Sequence, residues 1–191
     1  MARSIYRVIP NAITVLRLVL VLPIAFSILD ENYFLALVLF TISGMSDGVD
    51  GFLARRYGWE SAFGRLIDPL ADKLMMIVTT VTLGLLGHFP FMLMVLIIVK
   101  DVATLCGVFA YTILAGFPKI QPSWLGKLTT AAQIILLFAV LLNLSSPGLL
   151  PEMLFTIWFW MVALMTASDG VSYLWIWTGR LAEDPRWKDG I

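Results

Sequence analysis

Six apolar runs, at about 12–29, 33–54, 66–87, 89–115, 124–145 and 153–178, take up most of this chain, and the stretches between them are as short as Asp30-Glu31-Asn32. Each run supplies the roughly 20 helical residues needed to cross a hydrocarbon layer of about 30 Å. With 60% hydrophobic residues, 14% charged and a mean hydropathy of +0.90, the chain suits a multi-span membrane protein and fits a water-soluble domain badly. The expected fold is an all-α integral membrane protein, one domain over residues 1–191, with six transmembrane helices around a polar cavity facing the cytoplasm. The basic start followed by an apolar run has no small-residue cleavage pattern, so it reads as a retained first span rather than a signal peptide. Pro10-Asn11 reads as a turn before that span.

Charge placement gives the orientation. Arg3 and Arg7 precede the first run, Arg55 and Arg56 follow the second, Lys119 and Lys127 border the connection between the fourth and fifth, and Arg180, Arg186 and Lys188 are in the tail. The other connections carry Asp30, Glu31, His88 and Glu152, with no Lys or Arg. Under the positive-inside rule both termini and the connections after runs two and four are cytoplasmic. A formal net charge of zero gives no case for a nucleic-acid partner. The single Cys106, in an apolar run, excludes a disulfide framework within one chain. Gly84, Gly87, Gly107 and Gly170 read as helix-packing residues, and His88 falls in a predicted outer connection.

One stretch breaks the apolar pattern. Asp47, Asp50, Asp68 and Asp72, four of the nine aspartates, fall in the window DGVDGFLARRYGWESAFGRLIDPLADK between runs two and three. Asp47 and Asp50 are three apart and Asp68 and Asp72 four apart, so each pair shares one face of a helix. Two antiparallel helices joined by the short connection would bring the pairs together as a box of four carboxylates. Such a box repels itself unless something positive joins it, and hard divalent ions with oxygen ligands are the natural counter-charge. Two Mg²⁺ ions, with Mn²⁺ as the alternative, would grip a pyrophosphate and orient an attacking hydroxyl, which is phosphoryl-type chemistry at a membrane face. Gly48 and Gly51 leave backbone approachable, Ala54 keeps the face narrow, Arg55 can grip a phosphate, Gly64 holds the helix gap open, and Asp72 is the candidate general base. Two alternatives use the same acids: ion pairs with Arg55, Arg56, Arg65 and Lys73, or a cation pathway of a transporter.

The pattern D47-x2-D50-G51-x2-A54-R55-x8-G64-x3-D68-x3-D72 resembles, without a gap, the signature of the CDP-alcohol phosphatidyltransferase family, and IPNAITVLRL and GKLTTAAQ also look like that family. The resemblance implies an enzyme that moves a phosphatidyl group from CDP-diacylglycerol to an alcohol and releases CMP. It places metals on Asp47, Asp50, Asp68 and Asp72, the CDP moiety on Asp47, Gly51, Ala54, Arg55 and Gly64, and a general base at Asp72. It also implies a homodimer, membrane lipids as surroundings and a lipid or polyol-phosphate acceptor, and a bacterial inner membrane is the expected location. For the acceptor, Lys127, Lys100 and Arg65 are the candidate contacts. Thr129, two positions after Lys127, and the Lys100-Asp101-Val102 stretch are similar to the cardiolipin-forming branch, which favours phosphatidylglycerol over glycerol-3-phosphate.

Overall fold

The computed structural model describes the backbone over residues 8–57, 62–115 and 124–183, and side chains over 14–46, 70–107, 124–173 and 175. Its elements are six helices: α1 (Val8–Leu29), α2 (Tyr33–Tyr57), α3 (Ala62–Leu85), α4 (Phe91–Ala115), α5 (Trp124–Ser145) and α6 (Glu152–Glu183). Among the described residues there is no strand. Each apolar run has become one helix, with ends within a few residues of those expected. The Pro10-Asn11 turn is a correction: α1 already runs through both. A proline in the first turn removes an N–H that has no partner there anyway, so it starts a helix as readily as it breaks one.

The helices close into a ring, α1–α2–α5–α6–α4–α3 and back to α1, with α3 also touching α5 across the middle. α1 packs on both acid-bearing helices, α2 and α3, whose motif side chains at 47–57 and 62–69 lie outside the described residues.

Along its axis the ring has two unlike halves. Toward the turns at 30–32 and 86–90 the interior is apolar, built from Ile24, Ile28, Phe40, Leu83, Ile97, Leu137 and Leu141, with Phe89 edge-on to Phe159 at 5.3 Å between centroids. Toward the other end the buried residues become Arg17, Lys100, Asp101, Thr129, Gln133, Thr166 and Asp169. The outer surface is the reverse of a water-facing bundle: Leu22, Phe26, Phe34, Met92, Val99, Trp160, Leu164 and Trp175 are all exposed. Buried charge and exposed apolar bulk suit an apolar surrounding. Among the described residues, Trp124–Ser145 and Glu152–Tyr173 are long and apolar enough to cross a membrane, and Thr14–Leu29 and Tyr33–Ser46 are shorter apolar helical stretches.

Two tight turns at the apolar end share one design. His88 N–H bonds Leu83 O at 2.9 Å and Gly87 N–H bonds Gly84 O at 3.1 Å, while Gly87 adopts φ +78°. This is a left-handed helix stop. The expectation of a packing glycine is corrected at Gly87, whose role is conformational. The same pair of bonds, Asn32 to Ser27 and Glu31 to Ile28, stops α1, but there Glu31 carries the positive φ of 58°. Asn32 then caps α2 by accepting from Leu35 N–H at 3.2 Å. The Tyr33 hydroxyl and His88 Nε2, 2.9 Å apart, tie the two turns together. His88 is thus a structural part of that end. Gly84 and Gly107 do serve packing, since an added Cβ would overlap Met94 Sδ and the Tyr173 hydroxyl respectively.

Candidate active site

The acid motif occupies the polar end of the ring. Asp47 and Asp50 lie on the last turns of α2, and Asp68 and Asp72 on the first half of α3, so both pairs do sit on continuous helix at the predicted spacing. The side chains of Asp47, Asp50, Gly51, Ala54, Arg55, Gly64, Arg65 and Asp68 lie outside the described residues. Asp72 is the member of the motif whose surroundings are on view. Its carboxylate is bonded to the Arg17 guanidinium of α1, and the two side chains differ sharply in exposure, 40% for Asp72 against 1% for Arg17. The Asp72 side chain is thus fixed by a buried cation while remaining partly exposed at the surface of the polar end. The donor set of the motif is carboxylate oxygen throughout, which suits a hard divalent cation. Among the described residues no three metal-ligating side chains converge.

Lys73, the next residue, does not pair with the motif. Its ammonium is 2.6 Å from Asp101 Oδ1 of α4. The same oxygen receives Lys100 Nζ at 3.0 Å, and Lys100 also reaches Asp169 Oδ2 of α6 at 3.3 Å. Four charges on three helices form one buried line, Lys73–Asp101–Lys100–Asp169. Lys100 and Asp101 are neighbours in sequence and leave α4 on different faces, yet the long lysine stem curls so that the two meet. Asp169 pairs with Lys100. The structure thus places the proposed acceptor contact Lys100 between two carboxylates and 7% exposed.

The segment GKLTTAAQ opens α5 and splits by face. Lys127 is exposed, with its ammonium 5.2 Å from the centre of the Trp124 ring, an arrangement typical of a membrane-interface anchor. Thr129 is fully buried and donates to Leu125 O at 2.9 Å and Met165 O at 3.4 Å, and Gln133 Nε2 donates to Thr166 Oγ1 at 3.0 Å. The neutral residue at 129 is therefore accounted for by packing of α5 on α6, and it says little about the acceptor.

Arg17 and the buried line are what sequence reasoning did not assemble. The available signal was that ionisable residues inside apolar runs must find partners of opposite sign. Arg17, Lys73, Lys100, Asp101 and Asp169 all carry that signal, but their partners are as much as 69 residues apart in sequence and only the ring brings them together.

The sequence pattern of the CDP-alcohol phosphatidyltransferase family matches residues 7–168, a span that contains the whole acid motif. The chain belongs to the CDP-alcohol phosphatidyltransferase family. Cardiolipin synthase (CMP-forming) from Homo sapiens is 29% identical over 184 residues, covering 86% of this chain and 60% of that protein. The CDP-diacylglycerol–glycerol-3-phosphate 3-phosphatidyltransferase from Haemophilus influenzae is 28% identical over 181 residues, covering 92% of this chain and 96% of that protein. A probable phosphatidylglycerophosphate synthase from Mycobacterium tuberculosis is 31% identical over 143 residues, 72% of this chain and 67% of that protein. The chain spans 60% and 49% of the human and rat cardiolipin synthases it matches.

Proposed function

We propose that this protein transfers the phosphatidyl group of CDP-diacylglycerol to an alcohol and releases CMP. The observation that carries this reading is the family match over residues 7–168, a span that includes the acid motif from Asp47 to Asp72. In this reading all six helices cross a membrane, both termini and the polar end of the ring face the cytoplasm, and the acyl chains stay in the bilayer while the diphosphate enters between α2 and α3. Asp47, Asp50, Asp68 and Asp72 would hold two divalent ions, Mg²⁺ in the first instance, whose chemistry when bound is to offset the charge of the diphosphate. Gly51, Ala54, Arg55 and Gly64 would receive the CDP moiety together with Asp47.

The acceptor oxygen forms its bond to the phosphorus nearer diacylglycerol, and the bond from that phosphorus to the CMP oxygen breaks, with CMP taking the electron pair. The acceptor proton passes to Asp72, whose carboxylate is steadied by Arg17 and half open. No covalent enzyme intermediate is required.

For the acceptor, glycerol-3-phosphate has the better support, because the Haemophilus relative, matched over nearly all of both chains, is named for it. Phosphatidylglycerol is the second reading. It is favoured by the pairing of Arg17, Lys73 and Lys100 with carboxylates, which spends three cations that a dianionic acceptor would want. Purified protein given CDP-diacylglycerol and both acceptors in one pot, with products read by mass spectrometry, decides between them. Phosphatidylglycerophosphate is the expected product; cardiolipin in its place would reverse the choice, and neither product from folded protein would remove the transfer reading itself.

A further inference from the structure

Adjacent residues of α3 make ionic contacts of opposite polarity with different helices. Asp72 is bonded to Arg17 of α1, and Lys73 to Asp101 of α4 at 2.6 Å. Consecutive residues stand about 100° apart around a helix, so these two contacts hold α3 from two sides, beside the packing of its buried Ala71, Met75, Met76 and Leu83.

Asp101 is the anchor of the second contact. It is fully buried, and one of its oxygens takes both Lys73 and Lys100, while Lys100 is held in turn by Asp169 on α6. The Lys100 stem lies beside Gly170 of α6, where a Cβ would stand at ordinary contact distance, 3.5 Å from Lys100 Cγ. The other oxygen, Oδ2, is buried and has no hydrogen-bond donor among the described residues. For stability alone this is a poor arrangement. Buried ion pairs often give no net gain over apolar residues of similar volume, and an acceptor oxygen left without a donor costs free energy. For direction it is a good one, since a charge-assisted hydrogen bond of 2.6 Å holds its donor in one place.

We propose that Asp101 is a positioning residue of the acid site: acting through Lys73, it sets the rotation of α3 and so the placement of Asp72 on that helix. The inference rests on the phosphatidyl-transfer reading, and its test separates the two. Full-length protein in detergent is compared as wild type, Asp101→Asn, and Asp101→Asn with Lys73→Met, the second change removing the lysine that the first would leave without its carboxylate. Three quantities are read: Mn²⁺ affinity by electron paramagnetic resonance, kcat and KM for CMP release from CDP-diacylglycerol, and melting temperature.

Asp101→Asn is expected to lower both Mn²⁺ affinity and kcat by roughly tenfold or more, the range seen when a residue supporting a metal ligand is lost, with KM for CDP-diacylglycerol changed by less than about twofold. The double variant is expected to regain the wild-type melting temperature and leave Mn²⁺ affinity and kcat low. Recovery of all three together would overturn the proposal, because the charge line would then hold the fold and nothing else. Wild-type Mn²⁺ affinity in Asp101→Asn would overturn it as well. Should Asp101→Asn not fold, the double variant carries the decision. Absence of CMP release from the wild type would sink the transfer reading while the Mn²⁺ comparison still decides the role of Asp101.

Discussion

Gly107 of α4 sits directly under Tyr173 of α6, and replacing it with alanine gives a loss whose size follows from the geometry. A Cβ at 107 would overlap the Tyr173 hydroxyl oxygen and stand 3.1 Å from its Cζ. That hydroxyl donates to Thr104 O at 3.1 Å, so pushing the ring away also breaks a hydrogen bond. Overpacking of this kind costs about 1–3 kcal/mol and the hydrogen bond about 1 kcal/mol, offset by about 1 kcal/mol from alanine's better helix propensity. The net loss is about 2 kcal/mol, which lowers the melting temperature of a chain of this size by roughly 4–8 °C. Thermal unfolding in detergent reads it directly. Tyr173→Phe removes the overlapping oxygen and leaves only the tight 3.1 Å contact with ring Cζ, so Gly107→Ala made in that background should cost clearly less, a coupling of about 1–2 kcal/mol in a double-mutant cycle. Equal penalties in both backgrounds, or Gly107→Ala melting at or above wild type, would refute this account of how the two helices meet.

Lys100→Met leaves the buried Asp169 carboxylate without its cation, and should destabilise the protein by about 3–5 kcal/mol, while Lys100→Met with Asp169→Asn should recover most of that loss; melting curves of the three proteins check it. Glu31 stops α1 at φ 58°, a conformation that costs a side chain about 1–2 kcal/mol, so Glu31→Gly should raise stability by about 0.5–1 kcal/mol after glycine's larger unfolded-state entropy is counted, seen as a higher melting temperature.

The helices were legible in the sequence because an apolar run of fixed length is a strong local signal, and Asp30-Glu31-Asn32 marked its turn for the same reason. The acid spacing was legible too, since carboxylates three and four apart fall on helical backbone as expected. What could not be read was who pairs with whom. Arg17 is a cation inside the first apolar run, and only the packing of α1 against α3 assigns it to Asp72. Lys100 reads in sequence as an acceptor contact through the likeness of its Lys100-Asp101-Val102 stretch, and the ring supplies two carboxylates that already engage it. Thr129 seemed to report on the substrate, yet its hydroxyl and burial belong to the seam between α5 and α6. Gly87 and Gly107 look alike in sequence, and only backbone angle and neighbour distance separate a helix stop from a packing site. The axial division of the ring also emerges only in three dimensions, because each helix contributes a few apolar and a few polar interior residues that must align.

The most direct measurement of the central claim is CMP release from CDP-diacylglycerol by the wild-type protein and by Asp68→Asn, with the phospholipid product quantified in the same sample. The account predicts CMP and new phospholipid in equal amounts from the wild type when a divalent ion and an acceptor alcohol are supplied, and neither from a folded Asp68→Asn protein. Undiminished turnover in Asp68→Asn would contradict it, because the chemistry would then not belong to the acids of α2 and α3.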